Sequence, residues 1–296
     1  MLVTLCCLML QAIPPNVILV KGAVPGASDS STPLPEGGAV RERAYENGYF
    51  GLTYPLPADW TENVLGPPPS DGGSYVLSTL IPSEKVTGAG IAPIRGSVLI
   101  SAQDLFFNEN PATNAKEVVA YVRGRLPRSQ SVERAPAEVR IGGRTFTRLD
   151  YGAPIAGLHW SLLATDVRCH AVEFVFMARD TATLNGLVAG LAKTKWSDEN
   201  SVPVCVADYA VPANVVTRVE PLFPVRRFNS IPVRLIIDLE GRVRHVHVIS
   251  AFPDQTTAIT QALLQWRFKP YVVDGKPREI ETGLEFGSTP RHTASR

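Results

Sequence analysis

The sequence has almost no surplus of charge of either sign, because it contains 29 lysine and arginine residues and 28 aspartate and glutamate residues. Proteins that bind nucleic acid usually carry a concentrated basic face, so this balance gives no reason to predict such a partner. Charged residues are few, at 19% of the chain, whereas hydrophobic residues make up 45%. A chain of this composition is able to bury a core and is not broadly disordered. Its 296 residues are ample for two domains.

Common catalytic motifs are also missing. The sequence contains no Gly-x-Ser-x-Gly turn, no Gly-x-x-x-x-Gly-Lys-Ser/Thr loop and no His-Glu-x-x-His pair. These motifs present a serine nucleophile, a phosphate-binding loop and a zinc site, respectively. Without them we predict no enzyme activity and no cofactor.

The histidines offer two weaker arrangements. His245 and His247 stand two residues apart, and on a regular strand such residues share a face and are able to chelate a metal ion. A bulge predicted nearby would spoil that geometry, and no cysteine or carboxylate cluster accompanies them, so we predict no metal site. The second arrangement is a hydrolytic triad chosen from neighbours on an apparent hairpin, namely His159, Ser161, Asp166 and His170. We interpret these residues as structural.

The first 27 residues predict export. Residues 2–20 form the most apolar stretch of the chain, and residues 2–12 have the length of the hydrophobic region of a signal peptide. The predicted location is therefore the periplasm or cell envelope, with an uncleaved inner-membrane anchor as the alternative. Residues 28–44 are rich in Gly, Ser and Pro, which predicts a flexible linker.

Residues 45–196 predict an α+β domain. Apolar residues at helical spacing predict one helix over residues 114–126 and another that is capped by Asp180 or Thr181. Gly142-Gly143 predicts a hairpin turn. The strand candidates include residues 75–81, 97–102, 145–150, 159–165 and 171–178. Many antiparallel strands with helices near the two ends predict an antiparallel α/β sandwich.

The order of these elements resembles the PsbP-like fold. The resemblance is carried by the opening Phe50-Gly-Leu-Thr-Tyr-Pro with Trp60, a central helix, an antiparallel meander around Gly143 and a closing helix before Trp196. That fold serves several unrelated binding roles, so the resemblance implies a fold and no particular function.

Two cysteines remain once the predicted export segment is set aside, Cys169 and Cys205. An exported chain reaches an oxidising compartment, where cysteine pairs tend to form disulfides. A bond between these two would join the meander to the predicted linker of residues 197–219. Two buried free thiols are the alternative.

Residues 231–286 are the most informative stretch. Residues 231–238 are rich in β-branched side chains and stop at Leu239-Glu240-Gly241, which predicts a strand followed by a tight turn. The valines of the return strand do not keep a two-residue period, so we predict a bulge near Arg244-His245.

A helix and a last strand complete this stretch. Apolar residues at helical spacing up to Trp266 predict a helix of about three turns, capped by Asp254 or Thr256. Asp274-Gly275 predicts another turn. Residues 279–286 then alternate between apolar and acidic side chains, as a half-buried strand does. The resulting order is β-β-α-β, with the helix on one face of a small antiparallel sheet.

This order and its turns resemble the C-terminal domain of the TonB family. The resemblance covers about residues 220–287 and includes the helix end Trp266-Arg267-Phe268-Lys269-Pro270 and the Asp274-Gly275 turn. The motif positions are Gly241, Trp266, Phe268, Pro270 and Gly275. We expect Trp266 and Phe268 to belong to the core, since large aromatic side chains mostly serve burial.

The TonB resemblance implies a periplasmic module that pairs an extended peptide from an outer-membrane transporter with a sheet edge. We predict that this edge is the last strand. Its residues are Glu279, Ile280, Glu281, Thr282, Gly283, Leu284, Glu285 and Phe286. Exposed edges also allow a strand-exchanged homodimer.

The connection before this module is too short for the spacer that energy transducers of the TonB family carry, since the predicted linker spans only residues 197–219. We therefore favour a cell-envelope protein-binding module, with residues 288–296 as a disordered tail. A divergent energy transducer is one alternative. An enzyme within residues 45–196, with the terminal module as a docking tag, is the other.

Overall fold

The computed structural model describes residues 24–25, 34–64, 73–83, 96–107, 112–197, 202–225 and 229–287. Antiparallel strands dominate these ranges and helices are few, so the fold is α+β, the class that the sequence predicts. No helix in these ranges is both long and apolar enough to cross a membrane. Most of the predicted export segment and the whole predicted tail lie outside the described residues.

The first unit contains two sheets and two α-helices, and the two-residue strand β1 precedes it. The elements are β1 Val24–Pro25, β2 Ala39–Arg41, β3 Ala44–Asn47, β4 Leu52–Pro55, β5 Trp60–Val64, β6 Ser74–Pro82, β7 Gly96–Asp104, α1 Ala115–Gly124, β8 Ser131–Ile141, β9 Arg144–Ala153, β10 Leu158–Val167, β11 His170–Ala178, α2 Thr181–Gly190 and β12 Lys195–Trp196.

The larger sheet has seven antiparallel strands in the order β5-β6-β7-β11-β10-β9-β8. The smaller sheet follows the order β12-β4-β3-β2. The predicted hairpin turn is confirmed, because Gly142 and Gly143 join β8 to β9 with φ of 57° and 85°. Positive φ at both positions suits glycine and matches the twist of the flanking strands.

Each face of the larger sheet carries its own core. On one face, α2 and the smaller sheet pack against aromatic side chains such as Phe174 and Phe176. On the other face, α1 packs its valines Val118 and Val119 against the sheet. Asn114 caps α1 by accepting a hydrogen bond from the N–H of Glu117 (2.9 Å). Of the two caps predicted for the second helix, Asp180 is the one observed, since it accepts from the N–H of Thr183 (2.7 Å).

The linker predicted over residues 28–44 is wrong at its C-terminal end. β2 and the start of β3 lie within this range and belong to the smaller sheet. Val40 packs against the main core, although the surrounding composition is that of a loop. A partner strand elsewhere in the chain therefore orders residues that show no periodicity of their own.

The terminal unit follows the predicted order of strand, strand, helix and strand in β15, β16, α3 and β21. Its elements are β13 Val204–Cys205, β14 Val215–Thr217, β15 Ile231–Ile237, β16 Val243–Val248, β17 Ser250–Ala251, α3 Pro253–Leu263, β18 Arg267–Phe268, β19 Val272–Val273, β20 Lys276–Pro277 and β21 Ile280–Phe286. The main sheet of this unit has the order β13-β21-β15-β16, in which β13 runs parallel to β21.

The predicted bulge in β16 is confirmed. Ile236 pairs with His245 and Ile237 with Val243, so Arg244 is the extra residue on this strand. Because of the bulge, Val243, Val246 and Val248 all point into the core. On a regular strand Val246 and Val248 would lie on the opposite face from Val243.

The predicted cap of α3 is wrong. The helix begins at Pro253, where the missing N–H is no loss, and Gln255 accepts a hydrogen bond from the backbone N–H of Phe252 (3.2 Å). Asp254 and Thr256 consequently lie within the first turn.

The predicted linker of residues 197–219 is also partly wrong, because its second half packs on the terminal unit. β13 joins the edge of the sheet, and β14 pairs with β18. The indole of Trp266 donates to the carbonyl oxygen of Val219 at 2.7 Å. These contacts make residues 204–219 part of the terminal unit.

We expect the two turn glycines of this unit to differ in their tolerance of a side chain. Gly241 (φ 79°) and Gly275 (φ 75°) both occupy the left-handed region, where alanine costs about 1–2 kcal/mol. A β-carbon at Gly241 would also collide with the carbonyl oxygen of Phe268, whereas one at Gly275 would meet nothing within 4 Å. Gly241→Ala should therefore lower the free energy of unfolding by about 1–3 kcal/mol more than Gly275→Ala. Denaturant unfolding measures both, and equal losses would contradict the packing argument.

Candidate functional site

The predicted peptide-binding strand, residues 279–286, does not lie at a free edge along its whole length. It pairs with β15 on one side, and on the other side β13 runs parallel to its first residues, Ile280 and Glu281. The N–H of Val204 donates to the carbonyl oxygen of Glu279 at 2.9 Å. The prediction of an open edge is wrong for this half, because the segment predicted as a linker supplies the neighbouring strand.

The alternation predicted for this strand is present, but its acidic face does not point to solvent. Thr282 and Phe286 point into the core beneath α3, and Glu281 and Gly283 point toward the first unit. The Glu281 side chain is fully buried. A β-carbon at Gly283 would lie 2.6 Å from Cζ of Phe107, so a larger side chain would disturb the contact between the units.

Glu281 is the centre of a group of polar side chains that come from both units. Its carboxylate accepts from Nε of Arg168 at 2.6 Å and from Nη1 of Arg234 at 2.8 Å. Arg234 also pairs with Asp104, and the hydroxyl of Tyr49 donates to Glu281. We call these five residues the junction cluster. Its two arginines and two carboxylates cancel in charge.

The first unit supplies its members of the junction cluster from three places: the β3–β4 turn holds Tyr49, the end of β7 holds Asp104 and the β10–β11 turn holds Arg168. Arg168 occupies the β10–β11 turn with φ of 55°, and its guanidinium lies 3.8 Å from the ring centroid of Tyr49. Arg168 Nη1 also donates to the carbonyl oxygen of Tyr49 at 3.0 Å. Asp104 ends β7 and accepts the N–H groups of Phe106 and Phe107. These bonds hold the side chains before the terminal unit contributes Arg234 and Glu281.

Glu281, Arg168 and Arg234 are ionised at neutral pH. Burial by itself would raise the pKa of Glu281, but the positive charges of Arg168 and Arg234 lower it to about 2. Burial works against both guanidinium groups, yet the surrounding acidic partners leave the pKa of each arginine above its ordinary value. Burial raises the pKa of Tyr49, so its hydroxyl stays protonated and donates.

Two buried histidines adjoin the cluster. The ring of His170 is 5.4 Å from that of Tyr49, and His247 faces Arg234 across the β15–β16 pair. Among the described residues, neither imidazole has a hydrogen-bond partner on either ring nitrogen. Burial lowers the pKa of His170 to about 3. Burial and, second, Arg234 lower the pKa of His247 to about 4. Both imidazoles are therefore neutral at pH 7.

The structure does not support the metal arrangement considered for His245 and His247. The two side chains share a face of β16, but His247 is buried against the junction cluster. Within the described ranges, no group of three histidine, cysteine or carboxylate side chains is placed to hold a metal ion.

The residues of the hypothetical hydrolytic triad are not brought together. His159 and His170 lie at opposite ends of the β10–β11 pair. Ser161 donates to Asp150 at 2.7 Å, and Asp166 accepts a backbone N–H at the start of α1. These are structural hydrogen bonds at separate places.

Cys169 and Cys205 form a disulfide beside the junction cluster. Their Cα atoms are 5.2 Å apart, a normal separation for a disulfide. Cys169 follows Arg168 in the β10–β11 turn, and Cys205 pairs with Glu281 across the β13–β21 contact. The bond therefore joins the two units covalently next to their principal ion pair.

The motif positions of the terminal unit have structural roles. Trp266 and Phe268 are buried in its core, as predicted. Gly241 and Gly275 occupy turns, and Gly275 lies between β19 and β20. Pro270 is exposed just after β18. Among the described residues, none of these five makes a hydrogen bond, ion pair or ring contact with the junction cluster.

No protein-family model matches this chain, and no curated protein matches it. Similar solved structures include a protein of Bacteroides thetaiotaomicron VPI-5482 with 15% identity and a TM-score of 0.32, covering 52% of this chain and 48% of that one. This chain therefore spans about half the length of the Bacteroides protein.

Two further structures cover most of their own length. Cyanobacterial PsbP (CyanoP) from Synechocystis sp. PCC 6803 has 13% identity and a TM-score of 0.36, covering 52% of this chain and 91% of that one. LpqN of Mycobacterium tuberculosis, involved in cell envelope biogenesis, has 12% identity and a TM-score of 0.28, covering 49% and 82%. The PsbP resemblance predicted from the sequence is thus found weakly. Similarities of this size carry no argument about function.

Motif searching of the sequence misses the junction cluster. Its members are spread from Tyr49 to Glu281, and each looks like an ordinary surface residue. Arg234 is the exception, because it interrupts the apolar run Ile-Pro-Val-Arg-Leu-Ile-Ile of β15. A charged residue within such a run is rarely buried without a partner, and that signal was available in the sequence.

We expect Glu281 to matter far more to stability than its neighbour Glu279. Glu281→Ala leaves Arg168 and Arg234 buried with a single carboxylate, which should cost about 3–5 kcal/mol of unfolding free energy. Glu279→Ala removes only a partly exposed pair with Arg244 (3.4 Å) and should change stability by less than about 1 kcal/mol. Urea denaturation distinguishes the two variants, and similar losses would contradict the role of the junction cluster.

The buried histidines make the fold sensitive to acid. The pKa of His247 is about 4 in the folded chain and near its ordinary 6.5 when unfolded. Its contribution is therefore fully present above pH 6.5 and is lost as the pH falls toward 4, by about 3 kcal/mol.

The variant His247→Asn tests this acid sensitivity. Between pH 6.5 and 4 its unfolding free energy should fall less steeply than that of the wild type, by about 1.4 kcal/mol per pH unit. Above pH 7 the difference between the two proteins should be constant, since His247 is neutral in both states there. Parallel curves throughout the acidic range would contradict the argument.

Proposed function

We propose that this chain is a protein-binding protein of the cell envelope, in which an extended segment of a partner adds as a strand to the outer edge of β16. The observation that carries the proposal is the position of β16 at the end of the sheet. No described strand pairs with the outer side of Val243–Val248. An unpaired edge presents main-chain donors and acceptors that another chain is able to use.

The hydrogen-bonding direction of the strand supports this edge. The N–H of Ile249 donates to the carbonyl oxygen of Pro232 at 3.0 Å, so this residue faces β15. Main-chain groups alternate along an antiparallel strand. His247 therefore also faces β15, and the N–H and C=O groups of Val246 and Val248 point outward. Their side chains are buried in the core, so the backbone alone is offered to a partner.

The chain itself provides an example of strand addition at the continuation of this edge. β1 pairs antiparallel with β17, with Val24 opposite Ala251 and Pro25 opposite Ser250. Proline is tolerated there because an edge strand does not need all of its N–H groups. This contact supports an edge that accepts extended segments.

The TonB-like character of the terminal unit is part of the proposal. It is supported by the order β15, β16, α3 and β21 and by the turns at Gly241 and Gly275. The binding edge we propose is β16, since β13 and the first unit cover much of β21. Helices on both faces of the larger sheet support the antiparallel α/β sandwich predicted for the first unit.

A location in the cell envelope is supported by two features. Residues 2–20 have the composition of an export segment. The Cys169–Cys205 disulfide suits an oxidising compartment such as the periplasm.

Site-specific photocrosslinking tests the proposed edge. The substitution Arg244→p-benzoylphenylalanine places the probe on an exposed residue of β16, and Arg123→p-benzoylphenylalanine on α1 is the matched control. After irradiation in the envelope fraction, we expect the probe at position 244 to link to a discrete segment of a partner, mapped by mass spectrometry. The control should not capture it. Equal capture by both probes would contradict the proposal.

Hydrogen exchange on the captured complex provides the second measurement. In the free chain, the amides of Val246 and Val248 should exchange faster than those of His245 and His247, because they face outward. Strand addition should protect Val246 and Val248. A complex in which these two amides exchange as in the free chain would rule out pairing at this edge.

A further inference from the structure

A second surface of interest lies on the α1 side of the larger sheet, remote from the edge of the terminal unit. Along β7, and along β11 from Val172 onward, the side chains alternate between buried and half-exposed. The buried set forms the core beneath α2 and the smaller sheet. We give the name sheet strip to six half-exposed side chains on the α1 side: Leu99, Ser101, Glu173, Val175, Met177 and, on β10, Trp160.

Helix α1 covers this strip only in part, reaching Val175 but lying mainly to one side. Its main contacts are with β9 and β10, where Val118 and Val119 pack near Leu149 and Leu162. The strip lies on β11 and β7, the next strands across the sheet. The side chains of the strip are consequently half-exposed: they are less buried than core residues, and most of them are apolar.

Glu173 gives the strip a carboxyl group without a counter-charge. Its cross-strand neighbours are Ser101 and Ala164, and neither side chain carries a charge. Within the described ranges, Glu173 takes part in no hydrogen bond or ion pair. Burial accordingly raises the pKa of Glu173 to about 7. A half-buried carboxylate in this position gains much from a cation that reaches it.

The other end of the strip is apolar and aromatic. Met177 lies opposite Trp160, and the indole of Trp160 stacks on the ring of Tyr151 with centroids 5.4 Å apart and planes 7° from parallel. Glu173 and Met177 are four residues apart on one strand, a distance of about 13 Å. Burial is the main cause of the raised pKa of Tyr151, and the charge of Glu173 is the second cause. The aromatic pair therefore lies within electrostatic range of the carboxyl group.

We propose that the sheet strip binds an organic cation with an extended apolar body, such as a primary alkylammonium ion. The carboxylate of Glu173 pairs with the ammonium group. The body lies along Val175 and Leu99 toward Met177 and Trp160. The negative charge of Glu173 favours a cationic ligand, because an anion would be repelled and a neutral molecule would leave the carboxylate unpaired. This site is independent of the strand addition proposed for β16.

Calorimetric titration of the full chain at pH 8, where Glu173 is ionised, tests the proposal. The probes are n-octylammonium, n-octanol and octanoate, which share one body and differ in charge. We expect n-octylammonium to bind about tenfold or more tightly than n-octanol, because it adds a charge-assisted hydrogen bond, and octanoate to bind least. Equal binding of the three probes, or no binding in the millimolar range, would overturn the proposal.

The variant Glu173→Gln keeps the shape of the side chain and removes its charge. It should bring the dissociation constants of n-octylammonium and n-octanol together, whereas Glu138→Gln, on an exposed position of β8, should leave their ratio unchanged. Thermal unfolding checks that both variants are folded. A folded Glu173→Gln variant that still prefers n-octylammonium would assign the binding to another place.

Discussion

The carboxylate of Glu281 pairs with Arg168 of the first unit and with Arg234 of its own sheet, almost fully shielded from solvent. Burying such charges is costly, and the cost is offset only when every charge meets its partner in good geometry. Few arrangements of the two units satisfy this condition. The junction cluster therefore fixes how the terminal sheet packs against the first unit, more specifically than apolar contact alone would.

Several features of the chain follow from that arrangement. Because Glu281 points into the junction, one face of β21 is covered by the first unit, while α3 covers the opposite face of the sheet. The Cys169–Cys205 disulfide and strand β13 close the neighbouring edge. The opposite edge, along β16, has no neighbouring strand among the described residues. The interaction that joins the units also decides which backbone groups remain available.

Residues with the same sequence pattern end in different surroundings. Glu279, Glu281 and Glu285 share one face of the final strand, yet only Glu281 is buried. The cysteines likewise left a disulfide and two free thiols as alternatives. Proximity in space decided between them, since Cys205 is brought to Cys169 by a strand that composition describes as a linker. In both cases the periodicity predicts which side chains share a face but not what lies opposite that face.

The sequence by itself determined the local features: the α+β class, the glycine turn after β8, the bulge at Arg244 and the burial of Trp266 and Phe268. Each depends on backbone preference or on a periodicity within a few residues. Only the tertiary structure decided the fate of Glu281, the closed edge and the unpaired carboxyl group of Glu173. The Arg168–Glu281 and Asp104–Arg234 pairs join residues 113 and 130 positions apart. Burial and charge pairing over such separations depend on how the units meet, and no local pattern encodes that.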